Sequence, residues 1–364
     1  MSELNEHIFD PQLRDYESQI IDFFIKEGEI RNRGKKAQLI YAYLLIHRQL
    51  TQNQLAELSN LSKGYISSAL SSMQNIQLIN RKMIPGTHTY KYSFVNDNNF
   101  FGFRESSKLV QYYNNFERVV WSEIKKLENL KCEEKSQKRF LITRMKDLIR
   151  WTQAVTKIIC EQEGYKNPNA DKYPNLLNTQ LYNSNNELEF FDYEPNLVEF
   201  EKNFIDIILS MDNTFRKDPI LILEGFFLTR KILSQQKIEE LSQYSRATIS
   251  KSISKMLKMG EIQKIPKSNA LISGYKAYIM PNVTEVQLLM QISTHEQILT
   301  FQPAIKKIIV ELKTNKKKLD RLNGYTEIQD ITSKLEEYFS HHEQKLKITR
   351  KICHEIKDIQ ILTH

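Results

Sequence analysis

Glycine and proline are scarce in this chain, ten and nine among 364 residues, which excludes a loop-rich or collagen-like build and predicts a mostly helical one. Cysteine is scarcer still. Cys132, Cys160 and Cys353 lie far apart and form no Cys/His set at zinc spacing, so they read as packed thiols in a reducing compartment. His341-His342 and Cys353-His354 do not change this, because the nearest same-face pair, His342 and Cys353, is about three helical turns apart. No apolar run approaches a membrane span and no apolar leader follows Met1, so a soluble, cytoplasmic protein without a membrane partner is expected. The chain also lacks a nucleotide-binding glycine loop, H-E-x-x-H and G-x-S-x-G. No catalytic residue, metal or cofactor is therefore nominated, and an enzyme is not expected.

What the chain does contain is a repeat. LTQNQLAELSNLSKGYISSALSSM at residues 50–73 returns as LSQQKIEELSQYSRATISKSISKM at residues 233–256, without a gap, and position 50 matching 233 puts every match 183 further on. Leu50/Leu233, Glu57/Glu240, Ser59/Ser242, Ser62/Ser245, Ile66/Ile249 and Met73/Met256 are among the identical pairs, the mark of a duplication. Each copy reads as two short helices joined by a tight turn. Thr51 or Ser234 caps the first helix, and Ser62 or Ser245 caps the second. Ile66, Leu70 and Met73, or Ile249, Ile253 and Met256, make the second helix's apolar stripe.

The opposite face of that second helix is polar in both copies. It carries Lys63, Gly64, Tyr65, Ser67, Ser68 and Ser71 in copy one, and Arg246, Thr248, Ser250, Lys251, Ser254 and Lys255 in copy two. Short hydroxyl side chains allow close approach to a major groove, and Lys or Arg reaches phosphates or guanine edges, although such a face is also common on any protein surface. A period-two hairpin follows each helix pair, residues 78–94 with a Pro85-Gly86 tip and residues 261–279 with a looser tip. Helix, turn, helix and hairpin in that order predict a winged helix-turn-helix. The wings would bring Arg81, Lys82, His88 and Lys91, or Lys264, Lys267 and Lys276, to the DNA backbone.

The first copy resembles the GbsR group within the MarR-like winged-helix regulators. The likeness rests on Arg33-Gly34-Lys35-Lys36-Ala37, Tyr43-Leu44-Leu45, Leu50-Thr51-Gln52, Leu55-Ala56, Ser62-Lys63-Gly64-Tyr65-Ile66-Ser67, Ala69-Leu70, Pro85-Gly86 and Tyr90. Copy two is more diverged, with Asp218-Pro219 in place of the Arg-Gly element and no Pro-Gly tip. The resemblance implies a DNA-binding transcriptional regulator, and a response to choline or glycine betaine as in bacterial members. Those regulators are dimers of single units, so a fused pair departs from the pattern and leaves the effector unknown.

The rest of the chain supports a two-unit plan. Lys and Arg number 52 against 44 Asp and Glu, a formal charge of +8, which suits a polyanionic partner such as double-stranded DNA. Leu109, Tyr113, Phe116, Val120, Ile124 and Leu127, then Leu141, Met145, Leu148, Val155 and Ile159, describe two long amphipathic helices. In copy two, Leu288, Ile292 and Leu299 precede Pro303, which should kink or split the helix, and Ile331, Leu335, Tyr338 and Leu346 mark a last long helix. These long helices have too little in their own heads to bury against, so a shared dimerisation layer between the two copies is expected: an intramolecular pseudo-dimer, with further association of two chains left open.

The expected domains are 1–163 (head about 35–95, long helices about 104–162), an Asn/Pro-rich linker at 164–196, and 197–364 (head about 218–280, long helices about 284–356). Residues 1–14 read as frayed until packed. The linker could span on the order of 100 Å, but Tyr173, Tyr182, Phe190, Phe191 and Tyr193 predict that part of it packs. Phe100, Phe101, Phe103, Tyr112, Tyr113, Phe116 and Trp121 form an aromatic cluster, read first as core or interface and second as a cation-holding cage. Two other functions remain open: a replication-initiator or chromatin-like DNA-binding protein, and a winged-helix scaffold for protein assembly.

Overall fold

A computed structural model describes residues 7–31, 33–95, 106–164, 166–167, 170–181, 192–211, 219–266 and 276–356. It is mostly helical with two small antiparallel sheets. Copy one runs α1 (Pro11–Ile30), α2 (Lys35–His47), β1 (Gln49–Thr51), α3 (Gln52–Ser59), α4 (Lys63–Asn75), β2 (Ile79–Met83) and β3 (Tyr90–Phe94). Copy two repeats it as α7 (Pro195–Ser210), α8 (Pro219–Arg230), β4 (Ile232–Ser234), α9 (Gln235–Ser242), α10 (Arg246–Met259), β5 (Gln263–Lys264) and β6 (Ala277–Ile279). Between them lie α5 (Ser106–Asn129) and α6 (Lys135–Glu163). The chain closes with α11 (Val283–Leu299), α12 (Gln302–Thr314), α13 (Lys316–Leu319) and α14 (Tyr325–Glu355).

The duplication is visible in the register. β1 and β4, and α3 and α9, keep the spacing of 183, and the strand orders β1-β3-β2 and β4-β6-β5 are equivalent. Leu50 faces Tyr92 while Leu233 faces Tyr278, so the step between partners grows from 233 − 50 = 183 to 278 − 92 = 186. Copy two therefore has three more residues than copy one between its helix pair and its last strand. Pro303 splits α11 from α12 as its missing N–H requires, sitting in the first turn of α12.

The chain forms two compact units, and they do not follow the two sequence halves. One holds residues Met1–Arg104 with Ser293–Leu346; the other holds Glu105–Ile292 with Lys347–His364. In the first unit the head of copy one shares a continuous apolar core with the long helices of copy two: Leu13, Ile20 and Phe24 of α1 with Ile305, Ile309, Ile331 and Phe339. Phe23 meets Phe301, Tyr338 and Phe339 at ring-centroid distances of 5.8, 6.1 and 5.4 Å. In the second unit Leu197 and Phe204 of α7 pack with Phe116, Val120, Leu141 and Leu148 of α5 and α6. The physical reason is the one that predicts pairing: each buried Leu, Ile or Phe contributes about 1.5–3 kcal/mol, and the long helices find that burial on the other copy.

One segment differs from expectation, and the linker follows it in part. Residues 7–14 are packed rather than frayed: Phe9 and Leu13 are buried, the Asp10 N–H donates to the Asn323 carbonyl at 3.0 Å, and the Asn323 N–H donates to the Asp10 carboxylate at 2.6 Å. Gly324 takes φ 100° with the Phe9 ring where a Cβ would stand, so a side chain there is excluded. Of the linker aromatics, Tyr193 is buried and donates to the Thr229 carbonyl at 2.8 Å, and Tyr173 stacks on Trp121 at 6.3 Å. Tyr182, Phe190 and Phe191 lie outside the described residues, as do Phe100, Phe101 and Phe103 of the aromatic cluster.

Buried charge marks equivalent places in the two copies. At the end of α8, Arg230 binds Glu201 of α7 (Nη2 to Oε2 2.6 Å), both almost fully buried, with the guanidinium over Tyr193 at 4.4 Å. At the end of α2, His47 binds Glu17 of α1 at 2.7 Å. Another buried pair joins α11 to α14, where the Nδ1 atoms of His295 and His342 are 2.6 Å apart. Arg31 faces His342 Nε2 at 3.5 Å. A guanidinium only donates, so this arrangement assigns the shared proton to His342 Nδ1 and makes His295 Nδ1 the acceptor.

Arg230→Met leaves the Glu201 carboxylate buried without its cation and should cost about 3–5 kcal/mol, read as a lower denaturant midpoint; the double variant with Glu201→Leu should recover much of the loss. Burial first, then Lys345 and Arg31 for His295, and His295 and Arg31 for His342, hold both imidazoles below their ordinary pKa of 6.5. The unfolded chain takes up protons that the folded one refuses, so stability is full above about pH 6.5 and falls as pH drops below it, by up to about 2 kcal/mol per histidine at pH 5. Thermal melts from pH 8 to pH 5 should show that decline, and it should be reduced in a His295→Gln, His342→Gln double variant.

Candidate nucleic-acid interface

The same serine and threonine chemistry builds the helix pair in each copy. Thr51 Oγ1 accepts from the Gln54 N–H at 3.2 Å, and Gln54 Oε1 accepts from the Thr51 N–H at 2.8 Å, a reciprocal cap that satisfies two orphan donors. Ser234 caps α9 through Lys237 N at 3.1 Å. The turn that follows needs one left-handed residue, Asn60 (φ 54°) or Gln243 (φ 57°). It is tied by a single serine: Ser59 Oγ donates to Leu55 O and accepts from Leu61 N, and Ser242 Oγ does the same with Ile238 O and Tyr244 N. Ser62 and Ser245 then start α4 and α10 by accepting from Tyr65 N and Thr248 N, each at 3.3 Å. This explains why Ser59/Ser242 and Ser62/Ser245 are identical.

With caps and turn set, the second helix has one way to lie. Ile66, Leu70 and Met73, and Ile249, Ile253 and Met256, face the cores. Ser62, Lys63, Gly64, Tyr65, Ser67, Ser68 and Ser71 are exposed on α4, and Ser245, Arg246, Ser250, Lys251, Ser254 and Lys255 on α10. Gly64 has open space where a Cβ would stand. Thr248 is less available: it is half-buried and its hydroxyl is bonded to Ser245 Oγ at 3.0 Å.

Neither helix carries a carboxylate. Arg246 nevertheless is not an unpaired cation, because its Nε donates to both oxygens of Glu239 on α9 at 3.0 Å. Among the described residues, Lys251 and Lys255 have no ion-pair partner, although the charge of Lys255 draws down a Glu261 carboxyl that burial otherwise pushes up. In copy one, Lys36 sits over the Tyr65 ring at 5.5 Å, and Gln52 Nε2 donates to the Lys63 carbonyl at 2.8 Å.

The hairpins differ between copies. In copy one the register places Lys82 opposite Lys91, both exposed, with Gly86 at φ 75° in the tip and Arg81 over the Tyr90 ring at 4.9 Å. Like charges directly opposed across a ladder are unfavourable alone, so this pair makes a positive edge on the hairpin. His88 is exposed beside it. In copy two the paired strands are shorter, Lys264 and Lys276 are exposed where β5 ends and just before β6 begins, and Lys267 lies outside the described residues.

Sequence reasoning did not identify Lys36 over Tyr65 or the Glu239 clamp on Arg246. Glu239 and Arg246 are seven residues apart across a turn, where helical spacing rules do not apply. No protein-family model and no curated protein matches the chain. Among the described residues no group of His, Cys, Asp and Glu could hold a metal ion, and no helix is long and apolar enough to cross a membrane.

Ser62→Ala and Ser245→Ala should each weaken the local helix start by about 1 kcal/mol. Hydrogen exchange at the first-turn amides of α4 or α10 should accelerate in the matching variant and stay unchanged in the other head.

Proposed function

We propose that each head is a winged helix-turn-helix and that the chain is a DNA-binding transcriptional regulator. Helices α4 and α10 enter major grooves of double-stranded DNA, and the two hairpins lie on the backbone. The observation that carries this reading is the same arrangement made twice: a serine-capped helix with its apolar stripe buried and an outer face of hydroxyls and cations without a carboxylate. Lys82 and Lys91 of the first hairpin, which have no ion-pair partner among the described residues, support it.

The two faces are chemically unequal. Copy one offers Lys63, Tyr65 and serines, which suits close, sequence-reading contact. Copy two offers Lys251, Lys255 and Lys258 besides the clamped Arg246, which suits phosphate. A target contacted by both heads is accordingly asymmetric rather than palindromic. Glu239 holds Arg246 until a phosphate competes for it.

Fluorescence anisotropy over a salt series tests this, comparing the DNA upstream of the chain's own coding region with a scrambled duplex. Preference for the upstream DNA and a steep salt slope are expected. Equal binding to both would favour a chromatin-like or replication-initiator role, and no binding at low salt an assembly scaffold. Lys251→Ala with Lys255→Ala should weaken binding and flatten the slope of log K against log salt by about 2. An unchanged slope would remove both lysines from the phosphate interface.

A further inference from the structure

The second unit holds a partly open cavity of about 230 Å³ that the proposed DNA contacts do not use. Its walls include Tyr113, Phe116 and Trp151 from α5 and α6, and Ile205 and Leu221 from α7 and α8. One acidic side chain opens onto this apolar space, Glu224 of α8.

Three features set it apart from a packing defect. An apolar cavity of about 150 Å³ already admits benzene, so this one has room for an aromatic ring with a short chain. Among the described residues, no cation or hydrogen-bond donor pairs with Glu224. The indole N–H of Trp151 is buried and also lacks a partner among the described residues. A carboxyl placed against aromatic walls costs stability unless something in the cavity answers it. Burial first, and the charge of Glu261 second, push the Glu224 carboxyl up to about 8.

We propose that this cavity binds a small protonated amine with an apolar, ring-sized body, the ammonium donating to Glu224 and the body lying against Tyr113, Phe116 and Trp151. The ammonium supplies the missing counter-charge in a half-buried site against apolar walls, where the pair is worth more than at an open surface. Aromatic faces add attraction for a cation close to them. The assignment does not depend on what α4 and α10 contact.

The chain has two tryptophans, so Trp121→Phe leaves Trp151 as the only reporter inside the cavity. Emission of that full-length variant is titrated with 2-phenylethylamine and with its neutral counterpart 2-phenylethanol, and calorimetry on the unaltered chain repeats the comparison. The amine should bind saturably and at least ten-fold more tightly than the alcohol. Glu224→Gln should abolish that preference while the alcohol still binds. Leu221→Phe fills part of the cavity and keeps the Glu224 carboxyl, so it should weaken both probes together. Absence of binding, equal affinity for the two probes, a preference that survives Glu224→Gln, or indifference to Leu221→Phe would each overturn the assignment.

Discussion

An amphipathic helix must bury its apolar seam, and this chain meets that requirement by exchange. The long helices that follow the first head pack with α7 and α8 of the second copy, and those that follow the second head pack with α1 and α2 of the first. Neither half of the sequence is thus a self-sufficient body. The head of copy one depends on Ile305, Ile309, Ile331 and Phe339, residues that lie more than two hundred positions later. The fused pair gives each copy the surface that a separate chain would otherwise have to supply.

Much of this was readable from side-chain pattern. The repeat located α3, α4, α9 and α10, because Ser62 and Ser245 cap, Ile66 and Ile249 bury, and neither role tolerates a shift in register. Pro303 split its helix for a reason local to proline. Less legible was everything that depends on long-range partners. The division into compact units differs from a cut at residues 164–196, since periodicity shows that a seam needs cover without showing which copy provides it. Residues 7–14 read as polar and loose, but Phe9 and Asp10 are held by Asn323 and Gly324, contacts that no local rule announces. Arg246 read as an available cation, and Glu239 occupies it.

The buried ionic groups distinguish the copies in another way. Where α8 ends in Arg230 bound to Glu201, α2 ends in His47 bound to Glu17, so the same structural position is served by a permanent cation in one head and by an imidazole in the other. The His295–His342 contact lies in the unit that contains His47. Divergence after duplication has therefore altered the interior as well as the outer faces. The outer faces changed toward unequal chemistry, hydroxyls and an aromatic ring on α4 and lysines on α10, while the caps and turns that aim them stayed the same.

The central claim is that these two helix faces are where DNA lies. A photo-crosslinking residue placed at Ser67 or at Ser250, both exposed, tests it most directly, with exposed Ser333 on α14 as the control position. With the bound duplex, crosslinks should form from positions 67 and 250 and not from 333. Crosslinking from 333 as strong as from the two helices, or none from either helix under conditions where DNA is bound, would contradict it.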